Sequence, residues 1–166
     1  AIAERGPCAV ASPDPGGVKR AQLWREALET ELSQPLGFAI VDKRRRAGRV
    51  SSQHLVAGDV EGTTVLLLDD LIASGETMVR AATALRLAGA RDVVAFAAHG
   101  LFTGEACRLL GDPAISRVVV TNSVPSFRVP ADSALAGKLV VVSTAALFSL
   151  AISQRCASLP ATPPLR

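Results

Sequence analysis

Apolar positions fall into short continuous runs separated by longer stretches in which apolar and polar residues recur with helical spacing. Residues 65–68, VLLL, are too apolar for a half-exposed strand and too short for a helix, so they read as a buried parallel strand. Residues 7–12, 36–41, 91–100, 117–121 and 138–142 read as five further strands. Between them, VKRAQLWREALETEL predicts a helix with Leu23, Ala27 and Leu28 on one face. A second helix follows Ser74, which can cap it, and Gly75, which lets the loop turn tightly. Met78, Ala81, Ala82, Leu85 and Ala88 form its apolar stripe until Gly89 ends it. A short helix is expected around residues 105–110 and a closing one over 145–154. Strands alternating with helices at this spacing predict an α/β fold, a mainly parallel sheet with helices on both faces.

Two stretches break that rhythm. Residues 43–62, KRRRAGRVSSQHLVAGDVEG, are polar, basic and punctuated by glycine, and read as an excursion from the sheet, a mobile hairpin of the kind that often carries function. From residue 155 the Pro-rich CASLPATPPLR region predicts a flexible tail, leaving residues 1–154 as one domain. The first residues, AIAERGP, look like the end of a helix entering a strand, which suggests a piece of a longer polypeptide.

Composition narrows the class of protein. The 166 residues are 49% hydrophobic, ample for one core, yet no run reaches the roughly 18 apolar residues of a membrane span. Without a signal-peptide pattern, a soluble cytoplasmic protein is expected. Cys8, Cys107 and Cys156 lack metal or redox spacing and read as reduced, structural thiols. A net charge of +3, with five Phe, one Trp and no Tyr, gives no basic face interleaved with aromatics, so nucleic acid is not the expected partner.

Polar residues gather at three strand ends. Asp69 and Asp70 follow the 65–68 strand, at the end where ligands bind in open α/β sheets. The amides opening the next helix can hold a phosphate, while the acids can take ribose hydroxyls or hydrated Mg²⁺; solvated acids on an ordinary strand-loop-helix unit would read the same way. Asp14 with Gly16 and Gly17 precedes another helix start, a second anion-binding terminus or an ordinary Pro-Gly turn. Asp42 leads into Lys43, Arg44, Arg45 and Arg46, four cations able to close over a polyphosphate or to remain a solvated loop. His99 ends another strand, where it can assist a ribose or metal or be structural.

In order, SPDPGGVKRA, IVDKRRR, VLLLDDLIASGET, AAHGLFTGEA and VVVTNS resemble the C-terminal half of ribose-phosphate diphosphokinases, the phosphoribosyl-pyrophosphate synthetases, over residues 7–154. The resemblance implies a phosphoribosyltransferase-like fold and transfer of the β,γ-diphosphoryl group of MgATP to ribose 5-phosphate, yielding phosphoribosyl pyrophosphate and AMP. It implies that Asp69 and Asp70 hold ribose hydroxyls, that Ser74, Gly75, Glu76 and Thr77 form the 5-phosphate loop, and that Lys43 and Arg45 are the catalytic cations. Asp14, Gly16 and Gly17 would flank the diphosphate, with Asp14 on Mg²⁺, and the protein would form a homo-oligomer. The family loop usually reads DDxxDTxGT. Here Ala73 replaces the third acid, Ser74 a threonine and Glu76 a glycine. An inward Glu76 carboxylate about 4 Å from the phosphate would cost roughly 4 kcal/mol per charge pair, so an outward side chain with free loop amides is expected. The missing half of the family's length would supply much of the ATP site. A non-catalytic regulatory or assembly member, and a base phosphoribosyltransferase, are the alternative functions.

Overall fold

The computed structural model describes residues 6–46 and 49–157, with the side chains of 43–54 and of 157 outside the description. Seven strands form one sheet: β1 (Cys8–Ser12), β2 (Gly37–Arg46), β3 (Arg49–Ala57), β4 (Thr64–Ile72), β5 (Asp92–Gly100), β6 (Arg117–Thr121) and β7 (Leu139–Val142). Their order across the sheet is β3-β2-β1-β4-β5-β6-β7, and every neighbouring pair is parallel except β2 and β3. The α/β expectation holds, with one strand more than the apolar runs indicate. The extra strand, β3, comes from the polar excursion, which pairs back on β2 as an antiparallel hairpin.

The helices are α1 (Val18–Leu32), α2 (Glu76–Leu87), α3 (Ala106–Leu109) and α4 (Ala145–Ala157). Alternate strand residues feed two cores, as the twofold repeat of a strand requires. Leu66 and Val94 face Ala21, Trp24 and Leu28 of α1. Val65, Leu67, Val93 and Ala95 face Met78, Ala81, Ala82 and Leu85 of α2, with Ala106 of α3. Burial of both faces is why the central strands carry almost no polar residues.

Three local expectations about the helices need correction. The buried face of α1 is Ala21, Trp24 and Leu28, and Leu23 and Ala27 point outward. Trp24 selects that phase by packing on Phe96, with ring centroids 4.9 Å apart. On α2, Ala88 is the exposed C-cap, although the helix does stop as expected: Ala90 N–H bonds to Leu85 O and Gly89 N–H to Arg86 O. Finally, α4 continues through Ala157, so residues 155–157 are helical rather than tail; 158–166 lie outside the described residues. None of the three thiols is in a disulfide; Cys8 is buried and Cys107 packs against the core beneath α2, whereas Cys156 is exposed, so a packing role belongs to the first two.

Candidate ligand site at the switch point of the sheet

Connections from β1 and β4 run in opposite directions across the sheet, leaving a crevice between their carboxyl ends. Ala11 pairs with Leu67, so the segment after β1 lies beside the end of β4. On the other side Ser12 pairs with Ile40, two residues before Asp42. The three polar strand ends thus converge on one edge. Lys43 and Arg45 lie on the β2 arm of the hairpin, in register with His54 and Val50, with a bulge between them; their side chains lie outside the described residues.

After β1 the chain makes a single 3-10 turn, Pro15–Gly17, which contacts both β2 and β4. Asp14 caps it: one carboxylate oxygen accepts the Gly17 N–H at 3.0 Å. Gly17 is needed for packing, because a Cβ there would stand 2.6 Å from Ser12 Oγ. That hydroxyl is itself buried and donates to Asp14 O at 2.7 Å. Pairing within this loop therefore holds Asp14 while leaving its second carboxylate oxygen outside the cap.

Asp69 and Asp70 lie within the last turns of β4, which runs on to Ile72 rather than ending before them. Pairing with β5 extends the strand, since Leu71 and Ile72 are in register with His99 and Gly100. Asp69 is largely buried and Asp70 exposed. Burial, and after it the neighbouring Asp70 carboxylate, push the Asp69 carboxyl above the ordinary aspartate range, while the Asp70 amide and Arg20 pull it back. The Asp70 N–H donates to Asp69 Oδ1 at 2.8 Å. Arg20 in the first turn of α1 spans both acids: Nη1 lies 3.0 Å from Asp69 Oδ1 and Nη2 3.0 Å from Asp70 Oδ2. Sequence reasoning passed over Arg20. Its signal was a base in a helical first turn that holds no acid, a position the helix dipole disfavours unless an acid faces it.

Gly75, not Ser74, is the N-cap of α2; it adopts φ +81°, and no side chain caps the helix. Ser74 Oγ lies 3.5 Å from the Glu76 N–H, at the limit of a hydrogen bond. Gly75 fits because a Cβ would meet Leu110 Cγ at 2.8 Å. The tight turn puts the first amides of α2 just beyond the acidic pair. Thr77 is half-buried, whereas Glu76 is exposed and lines a groove with Ser74, Arg80, Glu105 and Arg108. Next along the edge, His99 Nδ1 lies 2.7 Å from Ser123 Oγ, while Thr121 Oγ1 donates to Ala98 O at 2.6 Å. These bonds tie the ends of β5 and β6 together.

Among the described residues no group of three His, Cys, Asp or Glu side chains is gathered to cage a metal. Mg²⁺ commonly takes one or two carboxylates and completes its shell with water and substrate phosphates. The second Asp14 oxygen fits that limited role. No helix among the described residues is long and apolar enough to cross a membrane.

Comparison with known proteins adds an independent line. Residues 46–156 match the model of the phosphoribosyl synthetase-associated domain. A ribose-phosphate pyrophosphokinase of Chromobacterium violaceum is 42% identical over 116 residues, 70% of this chain and 34% of that protein. The structure of phosphoribosylpyrophosphate synthetase from Mycobacterium smegmatis superposes with a TM-score of 0.73 at 32% identity, covering 92% of this chain and 46% of that one. Orotate phosphoribosyltransferase from Aeropyrum pernix, at 20% identity and a TM-score of 0.50 over 89% of this chain and 67% of its own, shares the fold. The chain spans less than half the length of the two pyrophosphate-synthetase relatives.

Proposed function

Since the chain belongs to the phosphoribosyl pyrophosphate synthetase family, we propose that it forms the ribose 5-phosphate half of a diphosphoryl-transfer site. The observation carrying this reading is the convergence of Asp14, the Asp69 and Asp70 pair and the amides opening α2 at one switch point. Asp69 and Asp70 accept the ribose hydroxyls. Ser74, Gly75, Glu76 and Thr77 supply N–H and hydroxyl donors to the 5-phosphate, aided by the positive end of α2. Asp14, Gly16 and Gly17 flank the diphosphate, and Asp14 is the carboxylate that would hold Mg²⁺. Bound there, Mg²⁺ would neutralise phosphate charge.

In the proposed reaction the anomeric hydroxyl oxygen forms a bond to the β-phosphorus of ATP. The bond from that phosphorus to the α,β-bridging oxygen breaks, AMP leaves, and the hydroxyl proton passes to solvent. Positioning and charge neutralisation carry such a step without a protein nucleophile. Lys43 and Arg45, on the hairpin beside the site, would stabilise charge on the transferring group. ATP is thus the second substrate and a homo-oligomer the proposed assembly.

One observation favours a non-catalytic, regulatory member of the same family: the phosphate loop holds Ala73 and Glu76, and the latter adds a negative charge in the first turn of α2. Phosphorus NMR of the full-length protein with MgATP and ribose 5-phosphate separates the two readings. Catalysis gives the diphosphate resonances of phosphoribosyl pyrophosphate together with AMP; ATP left intact while ribose 5-phosphate binds would establish the regulatory one. Glu76 is exposed, so solvent screens its charge. Glu76→Gly should change ribose 5-phosphate affinity by less than about fivefold in calorimetry. A larger gain would mean that the carboxylate points at the phosphate.

A further inference from the structure

We infer that Arg20 is a positioning residue for sugar recognition, its forked guanidinium gathering Asp69 and Asp70 into one acceptor pair for a vicinal diol. This rests on reading the acidic pair as the ribose site. Successive residues of a strand project to opposite faces. Along β4, Leu67 joins the core beneath α2 and Leu66 the core beneath α1, but past the acids it is Ile72 that returns to the α2 core while Leu71 is exposed, so the alternation breaks across this stretch. Asp69 is largely buried and Asp70 exposed, so the strand alone does not gather the two carboxylates. Instead both meet one side chain from α1, through separate nitrogens at equal distances of 3.0 Å.

The pattern of occupied oxygens makes the pairing specific. Asp69 Oδ1 accepts from both Arg20 and the Asp70 N–H, and Asp70 Oδ2 is ion-paired with Arg20. One oxygen of each acid stays outside those bonds, two acceptors for two adjacent hydroxyl donors. Arg20 also favours the ionised form of Asp69, whose burial opposes it, and only an ionised carboxylate offers all its lone pairs. A lysine could neutralise one acid but lacks the planar fork that spans two.

Calorimetry with ribose 5-phosphate and 2-deoxyribose 5-phosphate on wild type, Arg20→Gln and Arg20→Lys tests the role, with thermal melts checking the fold. The wild type should prefer the ribose compound by about tenfold or more, the worth of a hydrogen bond to a charged group. Arg20→Gln should erase most of that preference, chiefly by weakening the ribose compound, and Arg20→Lys should fall between. An Arg20→Gln protein that keeps the wild-type preference, or weakens both sugars equally, overturns the positioning role and leaves the ribose reading standing. A wild type that binds both sugars alike overturns the reading of the acidic pair, and the role of Arg20 with it.

Discussion

Asp69 is where burial and function oppose each other. Its carboxyl is pushed above the usual aspartate range by burial, against the pull of the Asp70 amide and Arg20. Ionised, it accepts sugar hydroxyls; protonated, it loses acceptor capacity. Ribose 5-phosphate affinity should therefore fall on acidification through a midpoint above the ordinary aspartate value. Folding has the opposite sign. Because the folded chain holds this proton more tightly than the unfolded chain, protonating Asp69 adds stability as pH falls, and ionising it removes that stability as pH rises. A carboxyl-carbon NMR titration run beside calorimetry checks both statements. Affinity that stays level down to about pH 4 would contradict them. The acids themselves were legible in the sequence as a pair after an apolar run, but Arg20 was not, because its partner Asp69 lies 49 residues away.

At the scale of elements, the turn from β4 into α2 holds the most constraint. Gly75 combines a left-handed backbone with contact against Leu110, and either feature alone disfavours a side chain. Gly75→Ala should cost about 1–3 kcal/mol in urea denaturation and weaken phosphate binding as the first amides of α2 shift. Unchanged stability would mean the turn tolerates a different path. The sequence showed this loop but misplaced its cap, since Ser74 suits an N-cap by type and only the φ of the next residue moves the cap to Gly75. Buried parallel strands were readable because both faces are apolar. The arm that forms β3 was legible as part of a hairpin but not as an edge strand of the sheet, because an edge arm pairing through its backbone needs no apolar run. The phase of α1 escaped for a related reason: Leu23 and Trp24 are adjacent, and the position of Phe96 decides which one turns inward.

For the whole molecule, strand order rather than any one motif assembles the site, by setting the ends of β1, β2 and β4 side by side. The far side of the sheet is left apolar. Val141 and Val142 of β7 and Leu147, Phe148, Leu150 and Ile152 of α4 are all exposed. A helix that is apolar around its circumference calls for a covering surface, so association in solution is expected, in keeping with the proposed homo-oligomer. Sedimentation should show a species larger than a monomer, reduced by a Leu147→Asp, Phe148→Asp double substitution; a monomeric wild type would remove the oligomer from the account. A ribose 5-phosphate site at the switch point has a direct readout when ribose 5-phosphate is titrated into nitrogen-15-labelled protein. Saturable shifts should concentrate on the amides of Asp69, Asp70 and residues 74–78. Shifts centred elsewhere, or none, would contradict it.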